Sequence, residues 1–473
     1  MKRSHALGGA ALILASTFAA VSSAGDPPSR AHNETHPTES LAPSLPVKQY
    51  VLKNGLTVML SEDHSLPSVA AHLVYLVGSG HEEKGRTGFA HLFEHLMFQG
   101  SKNFDNEYFA PFDPIGARTN GTTSSDRTVY YEQIPSQYAE LPLWMESDRM
   151  RSLLPALTQE KLDNQREVVK NERRQRYEVT PYGLSWTYID EALYPEGHPY
   201  HHSTIGSHAD LSAATLTDVK TFFKKYYVPK NTGLTIVGDF DESTLREQIE
   251  KYFGDIAPGS RAPVPIAKTP SINSPKHWIA EDDVQLSRVY FAWITPAIFA
   301  PGDAELDLLS NILTSGKTSR LFQSLVYERK LAKDVAAFQL SRKLNGAYII
   351  QATAAPGTKL NELANALQEE LKKALAQTPS DKELARARND YKKAFFHQLE
   401  TFSSRASLIG AYFLHTEKGD YVAQDYARYV SPTARDVQKA GQNYLNFDHS
   451  VRLDFIPGKK TTPLRKLETE VTK

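Results

Sequence analysis

The chain contains no cysteine. That excludes disulfides, thiolate metal sites and a lipid-modified N-terminal cysteine, so an exported form has to rely on its hydrophobic cores. An excess of one charge is also lacking, since 54 basic residues stand against 55 acidic ones. This balance gives no electrostatic footing for nucleic acid or an anionic membrane as the main partner. Long apolar runs are missing too. The one at residues 10–20 is too short to span a bilayer, and no stop-transfer pattern follows it.

What is present at the start reads as an export signal over residues 1–24. Lys2 and Arg3 precede the apolar run, and Ser22-Ser23-Ala24 offers small residues for cleavage near Ala24. Removal would leave 52 basic against 55 acidic residues, a net charge of −3. A periplasmic or secreted protein without a membrane span is expected. Residues 25–46, rich in Pro, Ser, His and Thr, read as a flexible leader. The rest is long enough for two or more domains.

The pattern predicts a first αβ unit over 47–256. Asn54-Gly55 between apolar runs predicts a hairpin of strands 49–52 and 56–60. A strand at 68–77 follows, then helices near 88–99, 138–153, 158–178, 217–226 and 242–253, with a buried strand at 234–237. Residues 257–276, with five prolines, read as a linker. A similar order returns over 277–458: strand 287–294, helix 304–314, a helix-strand section, helices 360–376 and 381–400, and strand 451–456. A tail of 459–473 closes the chain. Strands beside strands with grouped helices favour an α+β layer fold, and the recurrence of order suggests an internal duplication.

The chemistry concentrates in His91-Leu92-Phe93-Glu94-His95. On a helix His91 and His95 share a face, and Glu94 lies beside them without pointing directly at the same place. Two imidazoles with an adjacent carboxylate suit a zinc ion and a general base for water. The bland alternative is a polar surface helix. Against it, Phe89, Leu92, Phe93, Leu96, Met97 and Phe98 make the segment so apolar that it should be buried, where three ionisable groups need a partner. A third ligand is sought in the helix near 158–178. Leu162, Gln165, Val169 and Glu172 form one stripe, whereas Glu167 and Glu178 are rotated well over 100° from it. By spacing alone, Glu172 is equally readable as a salt-bridged carboxylate.

The run from Gly88 to Ser101, with Leu52–Val58, Asn120-Gly121-Thr122-Thr123-Ser124, Thr128-Val129-Tyr130-Tyr131, His198-Pro199-Tyr200 and Tyr227–Asn231, resembles the pitrilysin/insulinase family of zinc peptidases. That family includes insulin-degrading enzyme and the mitochondrial processing peptidase. The resemblance covers most of 47–256 and weakens toward 458. It implies two homologous αβ domains, each a mainly antiparallel sheet covered by helices. It also implies one zinc ion held by His91, His95 and Glu172, with Glu94 activating water for peptide hydrolysis. Asn120, Gly121, Thr122 and Thr123 would form the edge to which a peptide or unfolded chain adds as a strand.

Two departures from the family pattern stand out. Many relatives carry a Glu seven residues before the third ligand, where this chain has Gln165; its hydrogen bonding is kept and its charge lost. Self-sufficient relatives place an Arg and a Tyr in the second domain, and the matching positions here are Val326 and Lys333. The expectation is therefore a zinc subunit of a heterodimer, its homologous partner carrying the Arg/Tyr pair. A non-catalytic core or assembly subunit of the same fold is the competing reading. Gly316-Lys317-Thr318 lacks the earlier glycine of a phosphate loop. His198, His201 and His202 read as a surface loop, and residues 360–376 as ordinary amphipathic packing.

Overall fold

A computed structural model describes residues 42–459 and 465–467. The expected signal segment, residues 25–41 of the leader and most of the tail therefore lie outside the described residues. Two six-stranded sheets organise the chain. The first contains β1 (Lys48–Val51), β2 (Thr57–Glu62), β3 (Ser68–Tyr75), β4 (Arg118–Thr123), β5 (Thr128–Pro135) and β6 (Thr232–Gly238), in the order β1-β2-β6-β3-β5-β4. The second contains β7 (Lys276–Asp282), β8 (Arg288–Thr295), β9 (Ala332–Leu340), β10 (Gly346–Ala354), β11 (Val451–Pro457) and β12 (Arg465–Leu467), in the order β12-β7-β11-β8-β10-β9.

Strand for strand, β2, β6, β3, β5 and β4 correspond to β7, β11, β8, β10 and β9. In each sheet the first of these pairs is parallel and the other three are antiparallel. The α+β class and the duplication are thus visible as topology, with each sheet mainly antiparallel. The Asn54-Gly55 hairpin forms: Gly55 takes φ +89°, and Asn54 Oδ1 accepts the Leu56 N–H at 3.2 Å. Asn54 is also buried, because its amide donates to the Phe253 and Ile256 carbonyls.

Helices fill the connections. The first half carries α1 (Phe89–Leu96), α2 (Glu140–Ala156), α3 (Gln159–Arg173), α4 (Ser185–Leu193), α5 (His208–Ala213), α6 (Leu216–Tyr226) and α7 (Glu242–Phe253). The second half carries α8 (Asp303–Thr314), the single turn α9 (Arg320–Phe322), α10 (Leu360–Ala376), α11 (Asp381–Gln398), α12 (Phe402–Thr416), α13 (Val422–Val430) and α14 (Ala434–Tyr444). The helix expected over 158–178 changes character at its end, where residues 174–178 form a wider π-type turn.

The halves trade one helix each. From the second half, α12 lies against β3 and β6 of the first sheet, packing Phe402, Ile409 and Phe413 on Met59, Ala70 and Val237. From the first half, α4 lies against β8 and β11, packing Tyr188, Ile189 and Leu193 among Tyr290, Leu453 and Phe455. The opposite face of the first sheet carries the largest apolar cluster, joining α1, α2, α3, α6 and α7. Neither sheet has both faces covered without the other half. Among the described residues no helix is long and apolar enough to cross a membrane.

Candidate metal centre

Helix α1 is held from both sides of its amphipathic pattern. Phe89, Leu92, Phe93 and Leu96 recur at helical spacing and enter the main core, where the Phe93 and Tyr227 rings lie 4.4 Å apart. Its N-terminus begins at Gly88, in the left-handed region at φ +88°, so no side chain of its own caps it. The cap comes from outside. The carboxylate of Glu82, fully buried, accepts the Gly88 N–H at 2.8 Å and the Ala90 N–H at 2.7 Å. Burial pushes the Glu82 carboxyl up to about 8, against the lowering effect of those two backbone bonds.

The other face carries His91 and His95, one turn apart, with rings 4.8 Å apart and nearly perpendicular. From α3, Glu172 Oε2 approaches His95 Nε2 to 3.3 Å and His91 Nε2 to 3.8 Å. One donor atom from each of the three lies within 4.8 Å of the other two. Two groups hold this arrangement in place. Gln165, two stripe positions before Glu172 on α3, meets His95 Nδ1 through its Oε1 at 3.3 Å, which leaves Nε2 free to ligate. Arg176, in the π-type turn, pairs with Glu172 Oε1 at 2.7 Å, so that Oε2 is the oxygen facing the imidazoles.

Glu94 is 8% exposed and faces strand β4. Thr123 Oγ1 donates to Glu94 Oε2 at 2.5 Å. Gly121 makes the approach possible, because a Cβ there would sit 3.0 Å from Glu94 Cγ and 3.2 Å from the Phe98 ring. Strand β4 is an edge, paired with β5 alone. The hairpin closes with Ser124 N–H donating to Arg127 O, so alternation along the ladder leaves the main-chain groups of Gly121 and Thr123 on the unpaired side.

Burial and the local charges set the protonation of the cluster. Burial lowers His91 to about 3, and the neighbouring His95 adds to the effect, so the neutral imidazole dominates. For His95, burial acts downward but is overcome by the hydrogen bond to Glu172 and the charges of Glu94 and Glu172, and the net direction is up. Glu172 is held near 2: burial opposes ionisation, while the His95 hydrogen bond, the two imidazoles and Arg176 outweigh it. Glu94 is raised by burial, moderated by Thr123. Two imidazole nitrogens and one carboxylate oxygen, converging beside a carboxylate with a raised pKa, match the donor chemistry of a three-ligand zinc site with an open position. Among the described residues His91 Nδ1 has no hydrogen-bond partner.

A family model described as insulinase (peptidase family M16) matches residues 57–186, and one described as the peptidase M16 inactive domain matches residues 213–391. The chain belongs to peptidase family M16. Zinc protease PqqE of Helicobacter pylori is 29% identical over 415 residues, covering 86% of this chain and 92% of that protein. The crystal structure of a protease from Helicobacter pylori has a TM-score of 0.81 at 27% identity, over 87% of this chain and 99% of its own. A Pseudomonas fluorescens structure described as a peptidase M16 inactive domain has a TM-score of 0.78 at 20% identity, over 89% of this chain and all of its own, which speaks for the fold alone.

Within this M16 frame the structure brings His91, Glu94, His95, Gln165, Glu172, Gly121 and Thr123 together. Asn120 and Thr122 fall on the other face of β4, by the alternation of a strand. Asn120 Oδ1 accepts the Gly121 N–H, and Thr122 Oγ1 accepts from Arg127 Nη1 at 2.6 Å. Val326 packs against the second core and Lys333 is exposed on β9. His198, His201 and His202 each turn to nearby main chain, and no metal-binding group beyond His91, His95 and Glu172 occurs among the described residues. The sequence reading missed Glu82 and Arg176. Arg176 had a signal, since it stands four residues after Glu172 on a helical face. Glu82 had none, because a loop residue capping a helix six residues away leaves no periodic trace.

Proposed function

We propose that this M16 chain is a zinc-dependent endopeptidase acting on peptides or unfolded chains. His91, His95 and Glu172 are the ligands of one zinc ion, and Glu94 is the general base. The observation that carries this reading is the convergence of three ligating atoms next to a buried carboxylate that is hydrogen-bonded to an edge strand. Zinc bound there would supply Lewis-acid polarisation of the scissile carbonyl and acidify the attacking water. The chain's residues do the rest. Asn120–Thr123 present the edge to which substrate adds as a strand, with the main chain of Gly121 and Thr123 supplying the pairing groups. Glu94 takes the proton from the attacking water and returns it to the leaving amine; its raised pKa suits both duties. Thr123 keeps its carboxylate aimed at the site, and Gln165 fixes the tautomer of His95.

The N-terminal signal pattern supports export, with cleavage near Ala24 and a periplasmic or secreted mature chain. Domain limits at 47–256 and 277–458, with the proline-rich 257–276 between, complete the reading. The absence of an Arg and a Tyr at positions 326 and 333 supports a division of labour, with this chain as the zinc subunit of a heterodimer. The test is cleavage of a quenched peptide library by the purified mature chain, beside Glu94→Gln. Cleavage abolished in the variant supports the peptidase and, if the chain acts alone at full rate, removes the need for a partner. A folded, zinc-loaded chain that is silent alone and in the presence of every homologous partner would leave the non-catalytic core subunit as the reading.

A further inference from the structure

The turn that joins β4 to β5 is gripped by Tyr200 of its own half and by Lys343 of the other. Asp126, at its tip, accepts the Tyr200 hydroxyl on Oδ1 at 2.6 Å and the Lys343 N–H on Oδ2 at 3.1 Å. The same Tyr200 oxygen accepts the Leu344 N–H at 3.0 Å. Lys343 and Leu344 lie in the connection between β9 and β10, so the turn beside the second sheet's edge strand meets the turn beside the first's. That connection is itself fixed. Arg342 forms a two-pronged ion pair with Asp190 of α4 at 2.9 and 3.1 Å, and the Arg342 side chain is 11% exposed. Tyr200 is 1% exposed.

The β4–β5 turn is held from its other side as well. Ser79 and Gly80 donate their N–H groups to the Ser124 and Ser125 carbonyls at 3.0 and 2.8 Å. A Cβ at Gly78 would lie 2.2 Å from Ser124 O, so the loop after β3 has no room for a side chain there. An edge strand is paired on one side only and frays unless its ends are tied. Here the tie sits three residues beyond Thr123, the residue bonded to Glu94.

We infer that the second half positions the substrate-pairing strand β4 through the Asp126–Tyr200–Lys343/Leu344 clasp, making Asp126 and Tyr200 positioning residues for peptide binding. The inference rests on the reading of β4 as the edge to which a peptide adds. A strand that must be ordered by the incoming peptide binds it more weakly, whereas a strand already ordered does not carry that entropy cost. The second half, among whose described residues no metal-binding group occurs, thereby takes part in recognition.

The test uses the full chain, zinc-loaded, as Tyr200→Phe and as the isosteric Asp126→Asn. Tyr200→Phe removes one hydroxyl that serves two bonds; Asp126→Asn can set a donor against the Lys343 N–H. The clasp predicts faster amide exchange over Thr119–Thr123, by about tenfold for the loss of one or two hydrogen bonds. Zinc content should stay at the parent value. For the best-cleaved member of a quenched peptide library, KM should rise about fivefold or more while kcat stays within about twofold, the pattern of lost uniform binding. Parent-like exchange over Thr119–Thr123 in both variants, or an unchanged KM, overturns the inference. Should Tyr200→Phe fail to fold, Asp126→Asn decides by the same measurements. Failure of the peptidase reading is separately visible as cleavage indifferent to Glu94→Gln, and the exchange rates still judge the clasp.

Discussion

The helix that follows β3 in the first sheet and the one that follows its counterpart β8 in the second both carry polar residues at a four-residue spacing, and the two are partnered differently. On α8 the residues are Asp303, Asp307 and Asn311. Arg428 donates to Asp303 at 2.7 Å, Tyr429 to Asp307 at 2.7 Å, and Asn311 itself donates to Asp390 of α11 at 2.9 Å. On α1 the residues are His91 and His95, and their Nε2 atoms converge with Glu172 Oε2 of α3. The frame is shared: helix on helix over a sheet of the same strand order. What differs is the kind of partner. On α8 two carboxylates and the Asn311 amide group meet groups of their own half, whereas on α1 two imidazoles face a carboxylate, with Glu94 beside them held by Thr123. A duplicated fold does not specify chemistry; the residues placed on it do.

The helix N-termini diverge in the same sense. Glu305, on α8 itself, accepts the Gly302 N–H at 2.9 Å, a cap supplied from within the helix. Helix α1 relies on Glu82 from the preceding loop, so the register of its histidines depends on a residue that sits outside the helix.

The sharpest way to break the comparison is at the base. Glu94→Gln should lower kcat by about 10²- to 10⁴-fold with zinc retained, as removal of a general base does. Asp307→Asn should leave peptide cleavage within twofold of the parent. Equal losses in the two variants would erase the distinction. Next comes the metal. Glu172→Ala should weaken zinc binding by more than about 100-fold, a loss above that of an outer partner, in a competitive chelator titration. Asp390→Ala, its counterpart on α11, should leave zinc content unchanged. Smaller again, Gln165→Ala should cost roughly 10- to 100-fold in zinc affinity by freeing the ring of His95. Asn311→Ala should cost none.

The last prediction concerns stability and touches both halves. Burial raises Glu82 to about 8, and desolvation together with Asp303 raises Asp307 to about 7, from ordinary values of 4.5 and 3.8. The folded chain therefore holds these protons where the unfolded chain has released them. Their contribution is full below the ordinary values and is lost as pH rises through about 7 and about 8. Denaturant midpoints measured between pH 4 and 9 should fall with pH less steeply in Glu82→Gln and in Asp307→Asn than in the parent. Parallel slopes would mean that these carboxyls are ionised in the fold.

Much of the site was legible because its members lie on helices. His91 and His95 share a face by spacing, and the apolar neighbours of Glu94 foretold a buried helix. Glu172 emerged from one stripe with Leu162, Gln165 and Val169, of which Leu162, Gln165 and Val169 are indeed buried. The hairpin at Asn54-Gly55 and the strands at β3 and β6 were equally readable. The helices α4 and α12 were not. Their apolar faces announce burial, but periodicity carries no address, and nothing local tells Tyr188 to meet Phe455 or Phe413 to meet Met59. Thr123 was legible as part of a strand; its bond to Glu94 depends on which side of an edge faces α1.

By itself the sequence determined the donor chemistry, two imidazoles and carboxylates on amphipathic helices, and in outline the recurrence of strand, helices and closing strand in two halves. Those are local properties, written in spacing and residue type. Only the tertiary structure decided that Glu172 meets both histidines, that Arg176 and Gln165 bond to Glu172 and His95, and that Lys343 of the second half meets the β4–β5 turn. Such contacts join residues far apart in the chain, and they exist only after both sheets are packed and each half has covered the other's exposed face.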